Sequence, residues 1–189
     1  SEMAINEHGE VAGYVSGGCV EGAVAAQALE VLKTGTPAML DYGAGSPVLD
    51  VQLTCGGRIG IFVRALEEPG VFIQRWEQAR DERQPLDVAI DLDTGTHRYG
   101  SAQPAGSDRV FRQRYLPPAR LVIAGGDPVT LALAQLAPSF GYEVVLLRPY
   151  GPPSPPPGTA LAHYDTRPLA RALAALELDP FTALYTLTH

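Results

Sequence analysis

The feature that most constrains this chain is the change of pattern after Pro117-Pro118. Adjacent prolines interrupt helix and strand alike, because proline fixes φ and donates no N–H. Beyond them, residues 120–124 form a continuous apolar run, the mark of a strand buried on both faces. Residues 128–140 predict a helix that tolerates Pro128 in its first turn. Residues 143–147 predict a second buried strand, 167–176 a second helix and 182–187 a third strand. Strand, helix, strand, helix, strand is half of a doubly wound α/β fold. The prolines therefore mark a domain boundary, with residues 1–116 before it and 119–189 after it. The second part is expected to be a truncated Rossmann-like parallel-sheet domain. Its proline-rich stretch at 151–158 should stay irregular.

The first part reads as α+β. Residues 3–6 and 11–15 suit two strands around the turn Glu7-His8-Gly9. Residues 21–33 predict a helix with Val20, Val24, Ala28, Val31 and Leu32 on one face, closed by Gly35. A short strand at 39–42 follows. Strands at 48–54 and 58–64 are expected to join through Cys55-Gly56-Gly57, the second alternating with Ile59, Ile61 and Val63 inward. Residues 72–83 predict a surface helix with Phe72, Ile73, Trp76 and Ala79 inward, and Glu77, Arg80, Asp81, Glu82 and Arg83 on a solvated face. Strands at 87–92 and 97–99 flank a turn formed by Asp91 and Asp93, and 110–115 is a further strand.

Composition narrows the functions. Hydrophobic residues make up 46% of the chain, enough for a packed core, and the net charge is −7. An acidic chain lacks the clustered Lys and Arg that displace counterions from nucleic acid or anionic lipid. No apolar run approaches the roughly 20 residues that cross a bilayer. The start at Ser1 does not resemble a signal peptide, so a cytoplasmic location is the expectation. Two cysteines and four histidines, without a Cys-x-x-Cys pair, make neither a disulfide framework nor a structural zinc site.

The chemistry concentrates in Ser16-Gly17-Gly18-Cys19-Val20-Glu21-Gly22 and Leu53-Thr54-Cys55-Gly56-Gly57. Cys19 stands at the predicted start of a helix, where open N–H groups and partial positive charge favour thiolates and anions. Gly17 and Gly18 let a ligand approach the backbone. Glu21 is positioned to accept hydrogen bonds from a heterocycle. If both turns converge, they form a pocket with two thiols and many backbone donors. The simpler alternative is a pair of tight turns beside small buried cysteines. Nucleophilic chemistry would need a histidine base, for which His8 and His97 are the candidates.

Met3-Ala4-Ile5-Asn6 followed by the segment from Gly13 to Val24 resembles the signature of the XdhC/CoxI family. Asp41-Tyr42-Gly43, the segment Leu53 to Ile59, the Pro-Pro-Arg entry to a Rossmann-like strand and the ending Leu187-Thr188-His189 follow in family order. The resemblance implies an accessory protein, not a catalyst. Such a protein binds the molybdenum cofactor (molybdopterin), protects it while its terminal sulfur is installed, and hands it to an apo molybdenum hydroxylase of the xanthine dehydrogenase type. The implied partners are that apo-enzyme and a cysteine desulfurase. The implied cofactor contacts are Ser16, Gly17, Gly18, Cys19, Glu21, Thr54, Cys55, Gly56 and Gly57. A homodimer is a further expectation, because a half sheet leaves an unpaired edge.

In the second part, Gly125-Gly126-Asp127-Pro128-Val129-Thr130 stands where a dinucleotide fingerprint would begin. Only its first glycine fits, and Asp127 would carry negative charge toward a pyrophosphate. Arg148 replaces the acidic residue that bonds an adenine ribose and could meet a 2′-phosphate instead. Gly125, Gly126 and Arg148 are thus the possible contacts for NADP or NAD. A scaffold that has lost dinucleotide binding is the preferred reading. The rivals are an NADP-dependent oxidoreductase, or a thiol redox protein using Cys19 and Cys55.

Overall fold

A computed structural model describes residues 1–46, 53, 56–100 and 108–187. They form two units. The first comprises Ser1–Arg75 and Leu86–Tyr115, the second Trp76–Pro85 and the chain from Leu116 onward.

The first unit is built from short antiparallel pairs. Strands β1 (Glu2–Ile5) and β2 (Val11–Tyr14) form a hairpin in the register Glu2 to Tyr14. Helix α1 (Glu21–Thr34) follows, and its end is closed by the Gly35 N–H donating to the Val31 carbonyl. Strands β3 (Ala38–Gly43) and β4 (Arg58–Val63) pair antiparallel. The core sits where α1 lies on these strands. Val20, Val24, Ala28 and Val31 pack with Tyr42, Ile61 and Val63, and Met3 and Ile5 close it from the hairpin. The apolar stripe read from sequence is therefore the buried one, except that Leu32 is exposed. The strand expected at 48–54 falls largely outside the described residues.

Helix α2 (Pro69–Asp81) starts three residues earlier than expected and buries none of its residues. Phe72 is half-buried, but Ile73 is 51% and Trp76 39% exposed, so the inward face expected for them is corrected. A second antiparallel sheet has β5 (Leu86–Asp91) in the centre, with β6 (His97–Tyr99) and β7 (Val110–Tyr115) beside it. Asp91 forms the β5–β6 turn as expected, accepting from the N–H groups of Asp93 and Thr94.

The second unit is a four-stranded parallel sheet in the order β10-β9-β8-β11. Its strands are β8 (Arg120–Gly125), β9 (Glu143–Leu147), β10 (His163–Asp165) and β11 (Thr182–Leu187). Alternate residues of β8 serve opposite faces. Ile123 packs with Ala134 of α3 (Pro128–Leu136), and Val122 and Ala124 pack with Ala172 of α4 (Leu169–Ala174). Layers on both faces, and a crossover that reverses direction between β10 and β11, define the doubly wound arrangement. The mixed α/β class is as read from sequence, with three changes of detail. The helix expected over 128–140 becomes a 3₁₀ turn at Ala137–Phe140, because Pro138 cannot donate an α-helical bond. The helix expected over 167–176 is confined to Leu169–Ala174 behind Pro168. Strand β10 adds a parallel neighbour to β9, so 182–187 is the fourth strand, not the third.

Candidate functional site

The loop before α1 carries most of the residues singled out by sequence. Gly17 and Gly18 have φ of 81° and 115°, conformations that residues with a Cβ rarely adopt. These two turns point a series of backbone N–H groups inward. The acceptor they meet is the Glu21 carboxylate. Its Oε1 accepts from the N–H groups of Val15 at 3.0 Å, Ser16 at 2.7 Å and Gly17 at 3.0 Å. Its Oε2 accepts from Gly18 N–H at 2.8 Å, Val20 N–H at 3.2 Å and the Ser16 hydroxyl at 2.7 Å. Ser16 Oγ in turn accepts from the N–H groups of Cys19 at 3.0 Å and Val20 at 3.1 Å. The Ser16 hydroxyl and backbone bonds hold the Glu21 carboxyl far below the usual carboxylate range, against an opposing effect of burial.

This arrangement corrects one expectation. Glu21 is not turned outward to meet a heterocycle, and the N–H groups beside it already have an acceptor. The physical reason is that two left-handed glycines would otherwise leave convergent donors unsatisfied. What the loop does present is the Cys19 side chain, which is exposed. Among the described residues, a Cβ added at Gly17 or Gly18 would meet nothing within 4 Å. Thr54 and Cys55 lie outside the described residues. Gly56 is exposed and Gly57 half-buried, with the Gly57 carbonyl accepting from Ala44 N–H at 3.2 Å. Among the described residues, no group of three or more His, Cys, Asp and Glu side chains is arranged to hold a metal ion.

The second glycine turn lies at the C-terminal end of β8. Asp127 caps α3, its Oδ1 accepting from the N–H groups of Val129 at 2.8 Å and Thr130 at 2.9 Å. Its Oδ2 accepts from the Thr130 hydroxyl at 3.2 Å. The aspartate is therefore turned into its own helix and not toward a ligand, as an N-cap side chain should be. Arg148 packs over Gly126, with Nε 3.0 Å from where a Cβ would stand. Its N–H donates to the Asp165 carbonyl at 2.8 Å. Asp165 itself accepts from the Arg167 guanidinium and N–H, which brings its pKa down to about 2.

Comparison with known proteins places these features. Residues 1–43, which hold the hairpin, the glycine loop, α1 and β3, match the model of the XdhC and CoxI family. Those 43 residues carry the resemblance to the XdhC/CoxI family. Over 88% of its length it is 30% identical to the molybdenum cofactor insertion chaperone PaoD of Escherichia coli (strain K12), and it spans about half (51%) of that relative. A crystal structure described as a xanthine dehydrogenase from Bacillus halodurans superposes on 99% of the chain with a TM-score of 0.76. This chain covers 64% of it at 19% identity, so the likeness speaks for the shared fold. The resemblance to XdhC/CoxI read from the motifs is borne out.

Sequence reasoning passed over one polar cluster in the first unit. Arg64 Nη1 donates to the Gly95 carbonyl at 3.2 Å and contacts His97 Nδ1 at 3.3 Å. Because arginine only donates, Nδ1 accepts there, and the proton on Nε2 faces Tyr99 Oη at 3.0 Å. Burial and then Arg64 lower the His97 pKa, which agrees with a neutral ring. Tyr99 carries Arg75 over its face at 4.6 Å, and Phe72 meets His97 edge-on. His97 is thus engaged in this cluster, while His8 is paired with Glu7 at 3.8 Å on the surface. The signal available in sequence was only the alternation His97-x-Tyr99 on a short strand.

Proposed function

We propose that this chain is an accessory protein for the molybdenum cofactor: it binds the cofactor at the Cys19 loop and delivers it to an apo molybdenum hydroxylase of the xanthine dehydrogenase type. The observation that carries the reading is the exposed Cys19 side chain on the Glu21-bonded loop within the stretch that matches the XdhC and CoxI family. The naming of a 30% identical relative as a molybdenum cofactor insertion chaperone supports it.

The residues fit such a group in part. A soft sulfur side chain on an open glycine face suits a metal–sulfur centre. A phosphate on the N–H groups of the loop before α1 does not fit, since Glu21 occupies those of Gly17 and Gly18. Cys19 would therefore hold the group with Gly17 and Gly18 beneath it, and Thr54, Cys55, Gly56 and Gly57 are the proposed second wall. When bound, the cofactor supplies the redox chemistry of the client enzyme. The chain's own residues supply a ligand surface and keep the loop in shape. We assign cofactor handling to residues 1–116 and a scaffolding role to 119–189, in the cytoplasm, with a cysteine desulfurase as second partner and a homodimer as the assembly. NADP or NAD binding is not part of this proposal, because the donors at the start of α3 are taken by Asp127.

The test is copurification. The chain is expressed with cofactor biosynthesis intact, then assayed for molybdenum and for the oxidised pterin fluorophore. Cys19→Ala should reduce retained cofactor at least about tenfold, the lower end of what losing even an outer-shell partner costs at a metal site, with folding unchanged by circular dichroism. Wild-type loading in the double variant Cys19→Ala, Cys55→Ala would sink the proposal.

A further inference from the structure

We propose that Glu21 is the positioning residue of the Cys19 loop: its carboxylate is a built-in anion that fixes the backbone from Val15 to Val20 and through it the thiol. In its consequence for ligand binding this rests on the reading of Cys19 as a cofactor contact. Its structural part does not.

The loop is held at two points. Val20 is buried in the core with Val24 and Val31, which anchors the end that enters α1. Val15, half-buried, packs against the same core at the other end, and the stretch between them, Ser16 to Cys19, is exposed or half-buried. Along that stretch the Glu21 carboxylate replaces a core, collecting backbone N–H groups from both sides of the glycine pair. Charge-assisted bonds of this kind are the strong ones. The Cys19 amide is fixed at one remove: Ser16 donates its hydroxyl proton to Glu21, which turns the Ser16 lone pairs toward the Cys19 N–H.

The chemistry demands glutamate at this place. The side chain stands on the first residue of α1 and reaches back over the loop. Aspartate is one carbon shorter and cannot span both sets of donors. Glutamine has the length, but its amide nitrogen would oppose N–H donors where Oε1 or Oε2 now accepts. An acidic residue in a first helical turn also lies at the favourable end of the helix dipole. A further consequence concerns specificity. With its donors engaged by Glu21, the loop offers a ligand sulfur and an apolar glycine face, not an anion cradle.

The test uses the full chain without cofactor. Glu21→Gln and Glu21→Ala are compared with wild type by hydrogen exchange at the amides of residues 15–20 and by the rate at which iodoacetamide alkylates Cys19 at neutral pH, read by mass spectrometry. In Glu21→Gln the loop amides should exchange at least about tenfold faster while α1 and β3–β4 keep their protection. The Cys19 alkylation rate should change by a similar factor. Added formate or acetate should restore both readouts in Glu21→Ala by refilling the nest, a rescue that a merely structural defect would not show. Exchange and alkylation within about twofold of wild type in both variants, or no rescue by either carboxylate, overturn the inference. Cofactor retention separates the two claims. If Cys19→Ala retains cofactor as wild type does, the cofactor reading fails, while the exchange and rescue results still decide the role of Glu21.

Discussion

Replacing Arg83 tests how the second unit is held together. Arg83 follows α2 with φ of 52°, a left-handed position usually given to glycine. The N–H of Arg83 donates to Arg80 O at 3.1 Å and that of Gln84 to Ala79 O at 2.8 Å, which is the Schellman pattern. Holding a side chain there costs about 1 kcal/mol relative to glycine. The return is an ion network. The Arg83 side chain, 13% exposed, bonds Asp179 through Nε, Glu143 Oε2 at 2.8 Å through Nη1, and the Pro118 carbonyl at 3.2 Å through Nη2. Asp179 is 19% and Glu143 29% exposed, between the surface pairs worth about 0–1 kcal/mol and the buried ones whose rupture costs about 3–5. Both carboxylates keep other partners, Arg120 for Glu143 and the Phe181 N–H and Thr182 hydroxyl for Asp179. Arg83→Met should therefore cost about 2 kcal/mol. Arg83→Gly should lose about 1 kcal/mol less, by relieving the left-handed backbone. Trp76 is the one tryptophan of the chain and lies in the same segment, so its fluorescence reports this unit in urea titrations. With a slope of about 1 kcal/mol per molar urea, the midpoint should fall by about 2 M in Arg83→Met. A double-mutant cycle with Asp179→Asn should give a coupling of at least about 1 kcal/mol. A loss under about 0.5 kcal/mol with no coupling would class the network with ordinary surface pairs and refute the reasoning.

Three further outcomes follow from the same unit. Arg83 first, and the Thr182 hydroxyl after it, bring the Asp179 pKa from 3.8 to about 2, and Arg167 does the same for Asp165. A depressed folded-state pKa means stability present above 3.8 and lost as pH falls toward 2; the urea midpoint should be flat near neutrality and drop across that window, less steeply in Arg83→Met. Asp127→Ala should cost about 1 kcal/mol through the lost N-cap, and titration of the wild-type protein should show no micromolar binding of NADP or NAD. Clear binding of either would overturn the scaffold assignment.

What was legible in the sequence was whatever packing wrote into side chains. The run at 120–124 reads as a buried strand because β8 is covered on both faces. The α1 stripe reads because Val24, Ala28 and Val31 recur at helical spacing, and it misleads only at Leu32, on the margin of that face. Strand β10 was missed because His163-Tyr164-Asp165 has no apolar run; its place is set by backbone pairing to β9. Arg83 was assigned to a solvated face because it ends a cluster of charges. Its left-handed position depends on where α2 stops, and α2 starts and stops earlier than its pattern suggests. At the candidate site, the glycine loop ahead of a helix was legible, but neither the exposure of Cys19 nor the direction of Glu21 was settled by the letters. Nothing in Gly17-Gly18 as letters says that five N–H groups will converge and require an acceptor.

The two glycine turns share one device, and it bears on function. Each precedes a helix, each gathers N–H groups in a way that elsewhere binds phosphate, and each is closed by a carboxylate of this same chain: Glu21 before α1, Asp127 before α3. In both, a phosphate would have to displace a short, charge-assisted contact already made, and would meet negative charge while doing so. The device therefore weighs against a phosphate-anchored nucleotide at either turn. The turns differ in what remains once the donors are satisfied. At the second, the Arg148 side chain lies over Gly126 and fills the approach to the backbone. At the first, among the described residues nothing stands within 4 Å of a Cβ placed at Gly17 or Gly18, and the Cys19 side chain is exposed. Under the proposed function, the exposed Cys19 side chain is what the first turn has left to meet a ligand once Glu21 has taken its donors.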